Sequence, residues 1–306
     1  MNWEQLKNPV LEYPTWSIKD YGIAYEDGVF YLFFSAFYED NGRVRSHVVE
    51  VTTPDFKAYS EPILNFDGQE DGWIGMCSPD VMKAGDTYYL VFNSWGDKEG
   101  KPNQLFYMSS SDMANWSARK PLAANLTQGK WAIDAALAFE SGKYFLFWKE
   151  QQTARCAVGD SIDGDFRFIG DGYPKFQSAS RKHVPWNENY QLLKTDGKWH
   201  LLATTHGKTR SHAPIIYDMQ GDCESEANWA QWTNGRELFV ADEQFNTRDQ
   251  ANSAVLLDLT CVDGFYYLLY AGTTEREAYL RRGWNKLGVS RSEDLTKWMP
   301  AGVTSK

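Results

Sequence analysis

A strand–turn–strand module repeated five times, with a long even spacing and no sustained helical periodicity, predicts an all-β protein, a five-bladed β-propeller. Each module opens on a polar residue, runs through a short apolar strand to a tight turn, and returns along an aromatic-rich strand. The heads are read as Asp20, Asp80, Asp134, Glu188 and Asn252, and a shared leucine of the second strand falls at Leu32, Leu90, Leu146, Leu201 and Leu268. Steps of 58, 56, 55 and 67 residues separate these leucines, too long for a helical solenoid unit and suited to a four-stranded blade. One such propeller over residues 1–306 accounts for the chain, with no second domain.

The elements follow in order. The first hairpin runs from Asp20 past Asp27-Gly28 to Ser35, and the second from Asp80 past Gly85-Asp86 to Ser94. The third joins Asp134 to Lys149 and the fourth Glu188 to Thr205, with Ser141-Gly142 and Asp196-Gly197 as turns; the fifth leads from Asn252 to Gly272. Short runs rich in aromatic and branched residues between such turns read as strands. Two outer strands should complete each blade. Their mark is an Asp with an aromatic four residues on, as in Asp55 and Tyr59, Asp112 and Trp116, and Asp294 and Trp298. A short helix is conceivable near Cys223–Trp232.

A propeller lines its central channel with the first strand of every blade, so the five heads should converge. Four carboxylates brought together raise one another's affinity for protons, and carboxyls whose pKa values are driven apart make an acid and a base. Residues just past the second strands should rim the same pocket: Phe37, Tyr38, Asn93, Trp95, Lys149, Glu150, Thr205, His206 and 273–276. An aromatic, amide and cationic rim over a carboxylate floor suits a neutral polyhydroxylated ligand.

Composition narrows the partners. The net charge of −10, with no run of Lys and Arg, argues against nucleic acid. No apolar stretch is long enough to span a membrane, and the first residues show neither a basic nor an apolar targeting segment, so a cytoplasmic location is expected. Cys77, Cys156, Cys223 and Cys261 stand apart, without a metal or disulfide spacing, as thiols in a reducing compartment. Aromatics reach 15%, including 13 Trp, enough to wedge between blades and still face a sugar.

At its heads the chain resembles the five-bladed propeller glycosidases, above all glycoside hydrolase family 43, along essentially its whole length. Lys19-Asp20-Tyr21-Gly22-Ile23 matches the family's blade-one Asp, though without the proline that usually follows. Cys77-Ser78-Pro79-Asp80-Val81 fits the blade-two motif, with Trp73 as an upstream aromatic, and Ile133-Asp134-Ala135-Ala136-Leu137 fits blade three. From Glu188 to Leu201 the blade-four register is kept through fourteen positions, departing only in the two residues after Glu188.

The resemblance implies an inverting glycosidase acting on α-L-arabinofuranosides, β-xylosides or β-galactosides. Asp20 would be the general base, Glu188 the general acid, and Asp134 the neighbour that keeps Glu188 protonated. Asp80 would bind substrate hydroxyls, with Trp73, Trp95, His206, Asn252 and Arg281 or Arg282 as further contacts. The chemistry requires no cofactor. Asn252 stands where many members carry a His near a central cation, which argues against a calcium ion in the channel.

Three rivals stand beside this reading. A retaining fructosidase would need its acid Glu in blade three, where Glu140 and Glu150 are not at a strand head. A phosphorylase would cluster cations, for which Arg181, Lys182 and His183 are candidates. A non-catalytic sugar-binding propeller would have lost one of the acidic trio, and all three are present.

Overall fold

The computed structural model describes residues 1–96, 101–151, 153–172, 187–205, 212–247, 251–275 and 284–304. Among them the chain is all-β. Strands β1 (Ser17–Glu26), β2 (Val29–Asp40), β3 (Arg43–Thr53) and β4 (Leu64–Phe66) form one antiparallel meander. A second follows in β5 (Gly75–Ala84), β6 (Thr87–Trp95), β7 (Leu105–Ser110) and β8 (Lys120–Pro121). One parallel bridge, Ser46 to Gly75, joins the two into an eight-stranded sheet. Three separate four-stranded sheets complete the series. They are β9 (Ala132–Glu140), β10 (Lys143–Glu150), β11 (Thr153–Gly159) and β12 (Arg167–Asp171); β13 (Asn187–Thr195), β14 (Lys198–Thr205), β15 (Ala213–Met219) and β16 (Trp232–Glu237); and β17 (Asn252–Leu259), β18 (Phe265–Gly272), β19 (Lys286–Ser292) and β20 (Met299–Pro300).

Local chemistry explains the hairpins. The two-residue turns Asp27-Gly28, Ser141-Gly142 and Asp196-Gly197 have φ of 50° and 84°, 50° and 79°, and 48° and 74°. Left-handed backbone at both central positions matches the twist of the flanking strands. These turns set one register throughout, and each shared leucine pairs with an apolar residue of its first strand: Ile23 with Leu32, Val81 with Leu90, Leu137 with Leu146, Leu192 with Leu201, and Leu256 with Leu268. All five leucines are fully buried. At the outer edge Asp55, Asp112 and Asp294 each accept two backbone N–H groups from the turn that follows, which ends the third strand. The helical turn near Cys223 is a short 3₁₀ segment, Glu226–Ala230.

The first strands meet in sequence: β1 packs on β5, β5 on β9, β9 on β13, β13 on β17, and β17 back on β1. Hydrophobic clusters fill the spaces between successive units, including one that joins the last unit to the first through Leu32, Phe34, Tyr267 and Leu269. Residues ahead of β1 help close this joint. Val10 N–H donates to Leu287 O at 2.8 Å, and the Asn8 amide bonds both backbone groups of Val289.

Candidate active site

Every first strand carries a bulge, and at each one a polar residue takes left-handed backbone: Asp20 (φ 55°), Ser78 (54°), Asp134 (55°), Asn189 (52°) and Ser253 (49°). A bulge re-aims a side chain, and non-glycine residues persist at positive φ only where the surroundings enforce it. These five side chains, with Tyr21, Pro79, Ala135 and Tyr190, line a narrow central cavity.

Three of the five are not the heads expected from the sequence: one shifts by two residues and two shift by one. Ser78, not Asp80, occupies the ring; Asn189 and Ser253 replace Glu188 and Asn252, which sit one residue earlier. The missed signal was spacing. Asp20, Ser78, Asp134 and Asn189 each lie twelve residues before their leucine, and Ser253 lies fifteen before because its hairpin loop is three residues longer.

Asp80 is a correction. Its buried carboxylate turns toward the neighbouring unit and accepts the Leu137 N–H through Oδ2 at 3.4 Å. Gln191, at the same place in the fourth unit, accepts the Leu256 N–H at 2.8 Å. Both are struts between units. Burial pushes the Asp80 carboxyl up to about 8, against the backbone donors Leu137 and Val81. Trp73 is a second correction: only 6% exposed, it packs edge-on to Phe106 among Phe33, Met76 and Phe92, away from the ring. His206, Arg281 and Arg282, with Arg181, Lys182 and His183, lie outside the described residues.

Asp20, Asp134 and Glu188 do come together. Asp20 Oδ1 accepts the Asn189 amide at 2.9 Å and the Ser253 hydroxyl at 2.9 Å, and Lys19 Nζ stands 3.3 Å away. Asp134 Oδ1 accepts the Ser78 hydroxyl at 2.8 Å, and its Oδ2 the Asn189 N–H at 3.2 Å. Glu188 Oε2 takes a hydrogen bond from Lys149 Nζ at 2.9 Å, with His212 Nε2 4.0 Å from Oε1. Burial and then the charge of Glu188 push the Asp134 carboxyl up to about 6, with Asp20 adding to the rise and Lys149 opposing it. Burial disfavours the Lys19 ammonium, but the carboxylates of Asp20, Glu188 and Asp134 outweigh it and hold the proton on. Burial, then Asp20, raises the Cys77 thiol, so it stays neutral.

Among the other expected contacts, Asn252 is buried and its Oδ1 lies 3.1 Å from the Ser253 hydroxyl oxygen. Trp95 meets the Phe37 ring edge-on at 5.4 Å, and Lys19 Nζ lies over that same ring. Glu140 pairs with Lys194 and Trp199 Nε1, and Glu150 with Arg155, so each of these blade-three glutamates has its own partners.

No family model matches the chain, and no curated protein sequence matches it. Solved structures do. A thermostable family-43 glycoside hydrolase superposes with a TM-score of 0.65 at 14% identity, covering 99% of this chain and 98% of that one. The fold is that of the propeller-type glycoside hydrolases. A structure from glycoside hydrolase family 130, described as mannoside phosphorylases that include hydrolases of β-1,2-mannosidic linkages in Candida mannan, gives 0.68 at 14% identity, covering 98% and 96%. The Bacteroides ovatus xyloglucan-locus protein GH43B gives 0.59 at 18% identity; the match covers 87% of this chain and 50% of that longer one.

Proposed function

We propose that the protein is an inverting glycoside hydrolase, built as a single five-bladed β-propeller, that cleaves terminal or short-oligosaccharide α-L-arabinofuranosidic, β-xylosidic or β-galactosidic bonds. The blade count is supported by the ring of first strands and by the hydrophobic clusters that return from the last unit to the first. One observation carries the activity. Three carboxyls come from three different units: Asp20 and Asp134 line one cavity, and the charges of Glu188 and Asp20 help drive Asp134 up to about 6.

Such a cluster can divide acid from base. Asp20, oriented by Asn189, Ser253 and Lys19, would take a proton from water as the oxygen attacks the anomeric carbon. Glu188 would give its proton to the leaving oxygen, so the glycosidic bond breaks as the bond to water forms and configuration inverts. Asp134, buried between them, adds a negative charge that favours the protonated form of Glu188. No metal enters this scheme.

The test is a panel of aryl glycosides and short arabinan and xylan oligomers, with the first-formed anomer read by NMR. Inverted product from one of these classes is expected. Retained configuration would overturn the assignment of Asp20 as a base. Sugar phosphate formed only when inorganic phosphate is added would make the protein a phosphorylase, and binding without turnover would remove the enzymatic reading.

A further inference from the structure

In three of the five units the residue facing the bulge from the second strand has one task, while the fifth has Ala271 opposite Asn252, with no side-chain acceptor to offer. Ser35 stands opposite Lys19, Asn93 opposite Cys77, Lys149 opposite Ile133 and Thr204 opposite Glu188. Ser35 Oγ accepts the N–H of Ser78 in the next unit at 2.8 Å. Asn93 Oδ1 accepts that of Asp134 at 2.9 Å, and Thr204 Oγ1 that of Ser253 at 2.9 Å. Each ties one bulge to the preceding unit. Lys149 breaks the series, because an ammonium has no lone pair to offer an N–H. The Asn189 N–H goes to Asp134 Oδ2 instead, and Lys149 Nζ, buried with the side chain, donates to Glu188 Oε2 at 2.9 Å. An ammonium taken out of water is unfavourable unless paired, and a small acceptor would have served the fold as it does in the first, second and fourth units.

We infer that Lys149 is a positioning residue for the reaction, holding the Glu188 carboxyl at the pocket and supplying its counter-charge as the proton leaves. This rests on Glu188 being the acid proposed above. Glu188 is faced by Lys149 on β10, His212 just ahead of β15, Asp134 on β9, and the charges of Lys19 and Asp20 on β1. At the same level β14 and β17 bring Thr204 and Asn252, both uncharged. Lys149 and Asp134 therefore pull in opposite directions. The ammonium makes Glu188 a readier donor, and the carboxylate makes it keep its proton to higher pH.

The informative variant is Lys149→Asn, which places in the third unit the amide that serves as strut in the second; Lys149→Gln is its companion should the first fold poorly. Two quantities are measured: the alkaline limb of the pH–activity profile, and the titration midpoint of the Glu188 carboxyl by 13C NMR, assigned with Glu188→Gln. Loss of an opposite charge at this distance should raise both by roughly 1–3 units, while Lys149→Arg leaves them in place and the melting temperature of Lys149→Asn stays near that of the parent. Unmoved limb and midpoint in the neutral variants, whatever the melting temperature, would overturn the proposal. A midpoint that rises in a protein that hydrolyses no glycoside would support the pairing and sink the hydrolase reading instead.

Discussion

Asp20 and Glu188 are assigned opposite tasks at one pocket, and substitution separates them. Asp20→Ala and Glu188→Ala should each lower hydrolysis of unactivated substrates by roughly 10²–10⁴-fold. With an aryl leaving group of low pKa the bond needs little protonation to break, so Glu188→Ala should recover in part while Asp20→Ala stays inactive. Equal losses on both substrate types would exchange or remove the roles. Asp134→Asn tests the third carboxyl. Its charge appears as pH rises through about 6 and then favours the protonated form of Glu188. Without it the alkaline limb should move to lower pH, opposite in sign to the shift expected of Lys149→Asn. A purely structural Asp134, bonded to Ser78 and the Asn189 N–H, would instead lower the melting temperature and leave the limb still. At this scale the sequence showed which residue types were available. It did not show that Asp80 turns its carboxylate onto the next unit, because one step of two residues along a bulged strand changes where a side chain is aimed.

Hairpins were the most legible elements, since Asp-Gly and Ser-Gly pairs encode their own turn geometry and the buried leucines repeat in one register. The joins between units were not legible. The first two meanders are linked edge to edge by one parallel bridge at Gly75, where a Cβ would overlap the backbone carbonyl of Ser46 and lie 2.7 Å from its nitrogen. Backbone cannot yield as a side chain can. Gly75→Ala should therefore destabilise the protein by about 1–3 kcal/mol, the usual scale of overpacking, with activity per folded molecule retained. Denaturant unfolding followed beside a kinetic assay checks both, and an unchanged midpoint would show that the bridge contributes nothing.

Two buried acids, Asp80 and Glu50, bear on the molecule as a whole. Burial pushes each up to about 8, and Trp116 Nε1, bonded to Glu50 at 2.7 Å, only partly offsets it. The fold keeps both protons at pH values where the unfolded chain has released them. The stability they lend is complete below their unfolded values, near 4, and is lost as pH rises through about 8. Unfolding free energy should accordingly fall across that window, and Asp80→Asn with Glu50→Gln should flatten the decline. Asp80→Asn alone should keep its hydrolytic rate, since Asn can still accept the Leu137 N–H and the residue stands outside the ring. A large loss of rate would return Asp80 to the substrate; an unaltered slope in the double variant would assign the pH dependence elsewhere.

Repeat, strand pattern and turn chemistry were determined by the sequence alone, because each is written in residues close together or evenly spaced along the chain. Tertiary structure alone decided which polar residue of each first strand faces the cavity, that Trp73 is core, that Ser35, Asn93 and Thr204 bind units together, and that Lys149 abandons that task for Glu188. Those outcomes depend on bulges and on hydrogen bonds between residues of different units, where a single residue's shift redirects a side chain and no local pattern records which partner it meets.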